Sequence, residues 1–182
     1  LKKDRNYILL NSNYLLNKME LNNFYMLIER RSLGSPVAHL INKKDLNNFY
    51  KLIEQRSIGK PIAYLTKKKF FWNSEFFVTN NTLIPRPDTE LIVETVLNLT
   101  KQKNKINILD IGVGSGCILL SILKERNNFY GTGIDISKNC INISKINAIN
   151  LKLTSRLKLY KSDVDKFNLG KYDLIVSNPP YI

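Results

Sequence analysis

Residues Ile108 to Leu123 read ILDIGVGSGCILLSIL. A short apolar run passes through three glycines, Gly112, Gly114 and Gly116, into a second apolar run with helical spacing. Strand, tight turn and helix in that order form the first part of a β-α-β unit, and such units build parallel sheets. Glycine suits the turn because the backbone must bend closely and let a ligand approach the helix N-terminal amides with no Cβ in the way.

Downstream, the same alternation continues. Short apolar strands are expected at Ile106 to Leu109, Gly131 to Ile134, Leu157 to Tyr160 and Leu174 to Val176, with helices at Cys117 to Arg126 and Ser137 to Asn150 between the first three. The fold class is therefore α/β, a Rossmann-like parallel sheet with helices covering both faces. Upstream, Asn80 to Glu90 reads as a loop entering a helix, with Pro87 near its first position and Asp88 and Glu90 in its first turn, where they complement the helix dipole. Leu91, Ile92, Val96 and Leu99 are its expected apolar face. Before that, two aromatic-rich runs between Lys69 and Thr79 flank Asn73 and Ser74 and read as a β-hairpin bridging two domains.

The first third is helical by pattern. Leu46, Phe49, Tyr50 and Ile53 recur at i, i+3, i+4 and i+7, and Gly59 with Pro61 ends the helix. Residues 21–40 match residues 46–65 at 14 of 20 positions, so a helix and its stop are duplicated with a period of 25. Two copies are too few for a solenoid, and one is read as an insertion. The expected organisation is a helical domain over 1–68, a hairpin over 69–79 and a third segment over 80–182.

With 182 residues and 43% hydrophobic content, the chain can bury a core. No apolar run approaches the roughly 20 residues that span a bilayer, so a soluble, cytoplasmic, monomeric protein without membrane association is expected. Cys117 and Cys140 have no ligand-like spacing and read as reduced, buried thiols. His39 is the only histidine, which argues against a zinc site and against histidine-based triads. The formal charge of +13 would suit nucleic acid or an acidic protein surface. Yet 21 of the 28 basic residues are lysines scattered among 23 asparagines, and only Lys67 to Lys69 form a run, which fits a composition bias equally well.

The glycine turn is not the dinucleotide fingerprint, because the third glycine of G-x-G-x-x-G would fall on Cys117. Nor is it a P-loop, since no Gly-Lys-Ser/Thr follows. What remains is Asp110 ahead of Gly112, Val113, Gly114, Ser115 and Gly116, with Asp135 ending the next strand. A carboxylate at that second strand end can accept from both hydroxyls of a ribose, and an acid ahead of the glycines suits an ammonium group rather than a pyrophosphate. S-adenosylmethionine is an amino-acid-bearing nucleoside of that description. Asp163, after the third strand, could reach the adenine amino group or simply cap a turn.

Asn178-Pro179-Pro180-Tyr181 follows the fourth strand, where open parallel sheets hold their ligands. A planar amide or exocyclic amino nitrogen is a poor nucleophile because its lone pair is delocalised. Acceptors that grip its N–H bonds can turn that lone pair toward a sulfonium methyl. The Asn178 side-chain oxygen and the Pro179 carbonyl can serve, Pro179 and Pro180 fix the backbone without competing N–H groups, and Tyr181 can stack on the flat acceptor.

Together with Ser57 to Leu65, Phe70 to Trp72 and Thr82 to Glu90, these motifs resemble the release-factor glutamine N5-methyltransferases, the PrmC/HemK family, from about Leu46 to the last residue. The resemblance implies a class I methyltransferase that modifies the glutamine of the Gly-Gly-Gln motif in peptide chain release factors, gripped in part by the N-terminal helical domain. It also implies that Gly112 to Gly116 and Asp135 bind S-adenosylmethionine, that Asp163 or Val164 lies against adenine, and that Asn178 to Tyr181 hold the glutamine amide beside the cofactor. The Asn-Pro-Pro-Tyr and glycine motifs are shared with adenine-N6 and guanine-N2 methyltransferases, so a nucleic-acid acceptor is the alternative. The family's sheet has seven strands in the order 3-2-1-4-5-7-6; only the first four are expected here, and the chain reads as incomplete at its C-terminal end, so a non-catalytic fragment is a further alternative.

Overall fold

A computed structural model describes residues 43–179. The first repeat copy, His39, Pro180 and Tyr181 lie outside the described residues. The chain divides into two compact units, Leu1–Thr66 and Lys67–Ile182.

In the first unit, helix α1 (Lys43–Ser57) carries the second repeat copy and ends as the sequence indicates. Gly59 takes the left-handed φ of +94°, so that its N–H reaches the Arg56 carbonyl at 3.0 Å and the Lys60 N–H reaches Gln55 at 3.2 Å. A residue with a Cβ would be strained there, which is why glycine stands at this helix end. Pro61 then opens the short helix α2 (Ile62–Thr66).

The second unit opens with the hairpin, β1 (Lys68–Phe71) and β2 (Ser74–Phe77). Its turn falls on Trp72 and Asn73, one residue earlier than the sequence suggested, with Trp72 at φ +52°. Alternation explains the shift. Phe71 and Phe76 both face inward, 1% and 0% exposed, with rings edge to face at 6.2 Å, and a one-residue slip would turn them outward. Both phenylalanines join the main core.

A 3₁₀ turn over Pro87–Thr89 leads into α3 (Glu90–Leu99). The buried face of α3 is Val93 and Val96, flanked by Ile92 and Leu97, whereas Leu91 and Leu99 are exposed, contrary to the expected face. Four parallel strands follow: β3 (Asn107–Ile111), β4 (Tyr130–Asp135), β5 (Leu157–Lys161) and β6 (Leu174–Ser177). Their order is β5-β4-β3-β6, matching the expected 3-2-1-4. Helix α4 (Cys117–Glu125) links β3 to β4, and α5 (Lys138–Asn150) links β4 to β5.

Packing against α4 explains a glycine inside β4. A Cβ on Gly131 would come within 2.8 Å of Leu119 and 3.0 Å of Leu123, so the strand lacks a side chain where the helix presses on it. Arg156, in the turn before β5, donates to the carbonyls of Leu123 and Arg126 at 2.8 Å and Phe129 at 3.1 Å, satisfying the open end of α4.

Helices on both faces were expected; the described residues depart from this. Helices α3, α4 and α5 share one core cluster with Ile108 and Val176 of the sheet. The segment between β5 and β6 holds only a 3₁₀ turn, Val164–Lys166, because it is short and polar and has no helical apolar repeat. Phe167 and Tyr172 of this segment line up with Tyr160 of β5, at centroid distances of 5.6 Å and 6.4 Å along the row, and Ile175 of β6 stays 59% exposed. Strand β6 pairs only with β3 among the described strands. Among the described residues, no helix is long and apolar enough to cross a membrane.

Candidate active site

The ends of β3, β4 and β6 converge on the glycine turn. Gly112, Gly114 and Gly116 all have positive φ, at +76°, +55° and +81°. The N–H groups of Gly112 and Val113 both donate to the Ile134 carbonyl at 2.9 Å, which bends the chain over β4. Val113 is buried, and a Cβ on Gly133 would meet it at 2.8 Å, so Gly133 is small for the sake of this turn. Gly116 has no room for a side chain: a Cβ would lie 2.9 Å from Leu120 and 3.1 Å from the Ser144 hydroxyl. Gly112 is the opposite case, since nothing lies within 4 Å of its Cβ position. The turn is thus packed at its helix end and open at its strand end.

Asp135 borders this opening. One carboxylate oxygen accepts the Gly114 N–H at 3.0 Å and the other accepts the Ser137 N–H at 2.8 Å. A carboxylate offers about four lone-pair sites, so two remain for hydroxyl donors. The Ser162 N–H donates to the Asp135 carbonyl at 3.0 Å and draws the end of β5 alongside. Next to it, Asp163 caps its 3₁₀ turn through the Asp165 N–H at 3.3 Å, and Val164 is 50% exposed.

Asp110 sits beneath the turn rather than on it. It is 2% exposed, and burial pushes its carboxyl up to about 7, with the Leu119 backbone N–H opposing and the charge of Asp135 adding to the rise. Removing this group from water disfavours its charged form, so that it titrates near neutral pH. Burial likewise pushes the Cys117 thiol up to about 12. Both cysteines are free.

Asn178 leaves the sheet beside Gly112, because β6 runs parallel to β3 with Ser177 opposite Ile111. The Ser177 hydroxyl donates to the Ile111 carbonyl at 2.9 Å and fixes that exit. The half-buried Asn178 side chain donates through Nδ2 to Thr89 Oγ1 at 3.4 Å, and Pro179 is exposed. Glycine turn, Asp135 and Asn178 therefore gather at one end of the sheet; Asp110 lies below it; Pro180 and Tyr181 lie outside the described residues.

Four residues support this end through contacts that the sequence reading did not assign to them. The Ser144 hydroxyl donates to the Gly114 carbonyl at 2.9 Å, and Asn147 Nδ2 donates to the Ser115 carbonyl at 2.8 Å. Thr89 holds Asn178, and the Glu90 carboxylate accepts the Trp72 N–H at 2.8 Å, tying the hairpin turn to α3. Ser144 and Asn147 stand three residues apart on the buried side of α5, both 1% exposed, and two polar groups on an inward helix face were the signal available.

A cleft of about 440 Å³ lies at the other, amino-terminal end of the strands. Lys105, Lys158, Lys171, Tyr130, Tyr160 and Tyr172 are among its lining residues, no carboxylate lines it, and none of the residues read from sequence as a site belongs to it. Open parallel sheets bind at the carboxyl ends, so the chemistry is assigned to the glycine turn.

The chain is similar to known methyltransferases. The family described as the methyltransferase small domain matches residues 87–182. A protein of Shewanella oneidensis named release factor glutamine methyltransferase is 39% identical over all of this chain and 54% of its own length. One of the same name from Buchnera aphidicola subsp. Schizaphis graminum is 44% identical over all of this chain and 56% of its own length. The chain thus spans about half the length of these curated relatives. Among solved structures, an RNA methyltransferase from Salinibacter ruber in complex with S-adenosyl-L-homocysteine overlays 52% of this chain and 60% of its own, at 18% identity and a TM-score of 0.46.

Proposed function

The chain belongs to the methyltransferase small domain family, within its PrmC/HemK group, and from that premise we propose that it serves S-adenosylmethionine-dependent methylation of a glutamine side-chain amide. The acceptor is the glutamine of the Gly-Gly-Gln motif in peptide chain release factors. The observation that carries this reading is the pairing of Ile111 with Ser177, which brings Asn178 out of the sheet next to the open glycine turn.

The residues present fit the cofactor. The space over Gly112 is clear, Asp135 keeps lone pairs beside it for ribose hydroxyls, and Asp163 and Val164 stand at the end of the next strand for the base. When bound, S-adenosylmethionine supplies a methyl group on a positively charged sulfur. The chain's own task is orientation. Asn178 Oδ1 and the Pro179 carbonyl accept the two N–H bonds of the glutamine amide. So held, the amide nitrogen would turn its lone pair toward the cofactor site over Gly112, and the N–H proton it gives up would pass to water. No strong base is required, because the rate gain comes from alignment and fixed dipoles.

Incubation of the chain with release factor and methyl-labelled cofactor should place label on the Gly-Gly-Gln glutamine. Label on RNA would instead support a second reading, methylation of a nucleobase amino group, which the lysine- and tyrosine-lined cleft favours. That reading requires RNA binding to weaken steeply with salt; a flat response removes it. A chain that takes no label and shows no calorimetric signal with S-adenosylhomocysteine would be a non-catalytic fragment.

A further inference from the structure

We propose that Thr89 is a positioning residue that anchors the Asn178 carboxamide where it meets the acceptor; this rests on the amide-methylation reading above. Asn178 can grip a glutamine amide only while its carboxamide is held within reach of the acceptor's N–H bonds, so a fixed partner for that side chain matters.

Asn178 Nδ2 donates to Thr89 Oγ1 at 3.4 Å, and this is the one hydrogen bond its side chain makes among the described residues. With Nδ2 engaged there, Oδ1 is left for the acceptor. Thr89 is suited to the task because it is itself held. It is 8% exposed and closes the 3₁₀ turn over Pro87–Thr89, with its N–H on the Arg86 carbonyl at 3.1 Å. The next residue, Glu90, is anchored through its carboxylate to the Trp72 N–H at 2.8 Å. Pro85 and Pro87 restrict the backbone leading in. The run Pro85 to Glu90 thereby has a role that its helix-start chemistry does not explain: it presents one hydroxyl to a side chain 89 residues away.

The test compares Thr89→Val, which keeps the shape and loses the hydroxyl, with Thr89→Ser, which keeps the hydroxyl. Two readouts are taken on the 182-residue chain. The first is the NMR signal pair of the Asn178 side-chain amide, with no ligand required. It should move to the position of a free carboxamide in Thr89→Val and stay in place in Thr89→Ser. The second is turnover on release factor beside calorimetric affinity for S-adenosylhomocysteine. Thr89→Val should lower kcat about tenfold, the scale of one hydrogen bond, with cofactor affinity within about twofold, and Thr89→Ser should restore the rate. An unmoved Asn178 signal in Thr89→Val, or a serine variant that behaves as the valine one does, overturns the assignment. If the unsubstituted chain labels no release factor, the methylation reading fails, and the NMR pair still decides whether Thr89 anchors Asn178. Thr89→Ala replaces the valine variant if the latter fails to fold.

Discussion

The Asn147 side chain pairs with the backbone of Phe77 as a neighbouring strand would: its Oδ1 accepts the Phe77 N–H at 2.7 Å and its Nδ2 donates to the Phe77 carbonyl at 3.0 Å. The same Nδ2 donates to the Ser115 carbonyl at 2.8 Å, so one buried amide joins the hairpin, α5 and the glycine turn. Replacing it with alanine strands three backbone groups. Asn147→Ala should cost about 3 kcal/mol of stability, measured by denaturant unfolding, and should weaken S-adenosylhomocysteine binding in calorimetry. Unchanged stability would mean that the hairpin does not depend on this amide.

Gly112 and Gly116 share a left-handed backbone and differ in space. Gly116→Ala must displace Leu120 or Ser144 as well as strain φ, and should destabilise by about 2–3 kcal/mol. Gly112→Ala meets no atom, so its folding penalty should be near 1 kcal/mol, while its methyl group enters the open cradle and lowers cofactor affinity. Thermal melts and calorimetry on the two variants separate the effects; equal losses in both would contradict the geometry.

Asp110 makes stability depend on pH. Its folded-state pKa of about 7 lies above its ordinary value of 3.8, so the folded chain holds a proton that the unfolded chain has released between those limits. Stability should accordingly fall as pH rises from about 4 to about 7, with a slope approaching 1.4 kcal/mol per unit, and then level off. Asp110→Asn, neutral throughout, should flatten this dependence. A variant with the same slope as the parent would place the titration elsewhere.

The thiols should resist alkylation. Burial raises both Cys117 and Cys140 above the ordinary thiol value, so little reactive thiolate is present at pH 8. Iodoacetamide should modify them promptly only after unfolding, and mass spectrometry follows this directly. Fast labelling of the native chain would show that α4 or the start of α5 opens.

Much of this arrangement could be read from local sequence. The four strands and the helices α4 and α5 follow from apolar runs separated by turn signals, and the helix stop at Gly59 from its glycine, whereas the strand order rests on the family resemblance. What could not be read was set by contacts distant in sequence. The turn at Trp72 depends on Phe71 and Phe76 both reaching a core built by α3 and α4. Leu91 and Leu99 fit a helical stripe as well as Val93 does, and only the direction from which α4 packs excludes them. The motif residues of the site stood out because glycine turns and proline pairs are local devices. Thr89, Ser144 and Asn147 act on chain 30 to 89 residues away, where no periodicity reports.

Among the described strands, β6 hydrogen-bonds along one flank, to β3, and no described strand pairs with its outer flank a few residues before Asn178. Whatever zips onto that flank becomes the wall of the acceptor pocket. If two molecules zip together there, each buries the other's Asn178, so specific activity should decline as the protein is concentrated and recover on dilution.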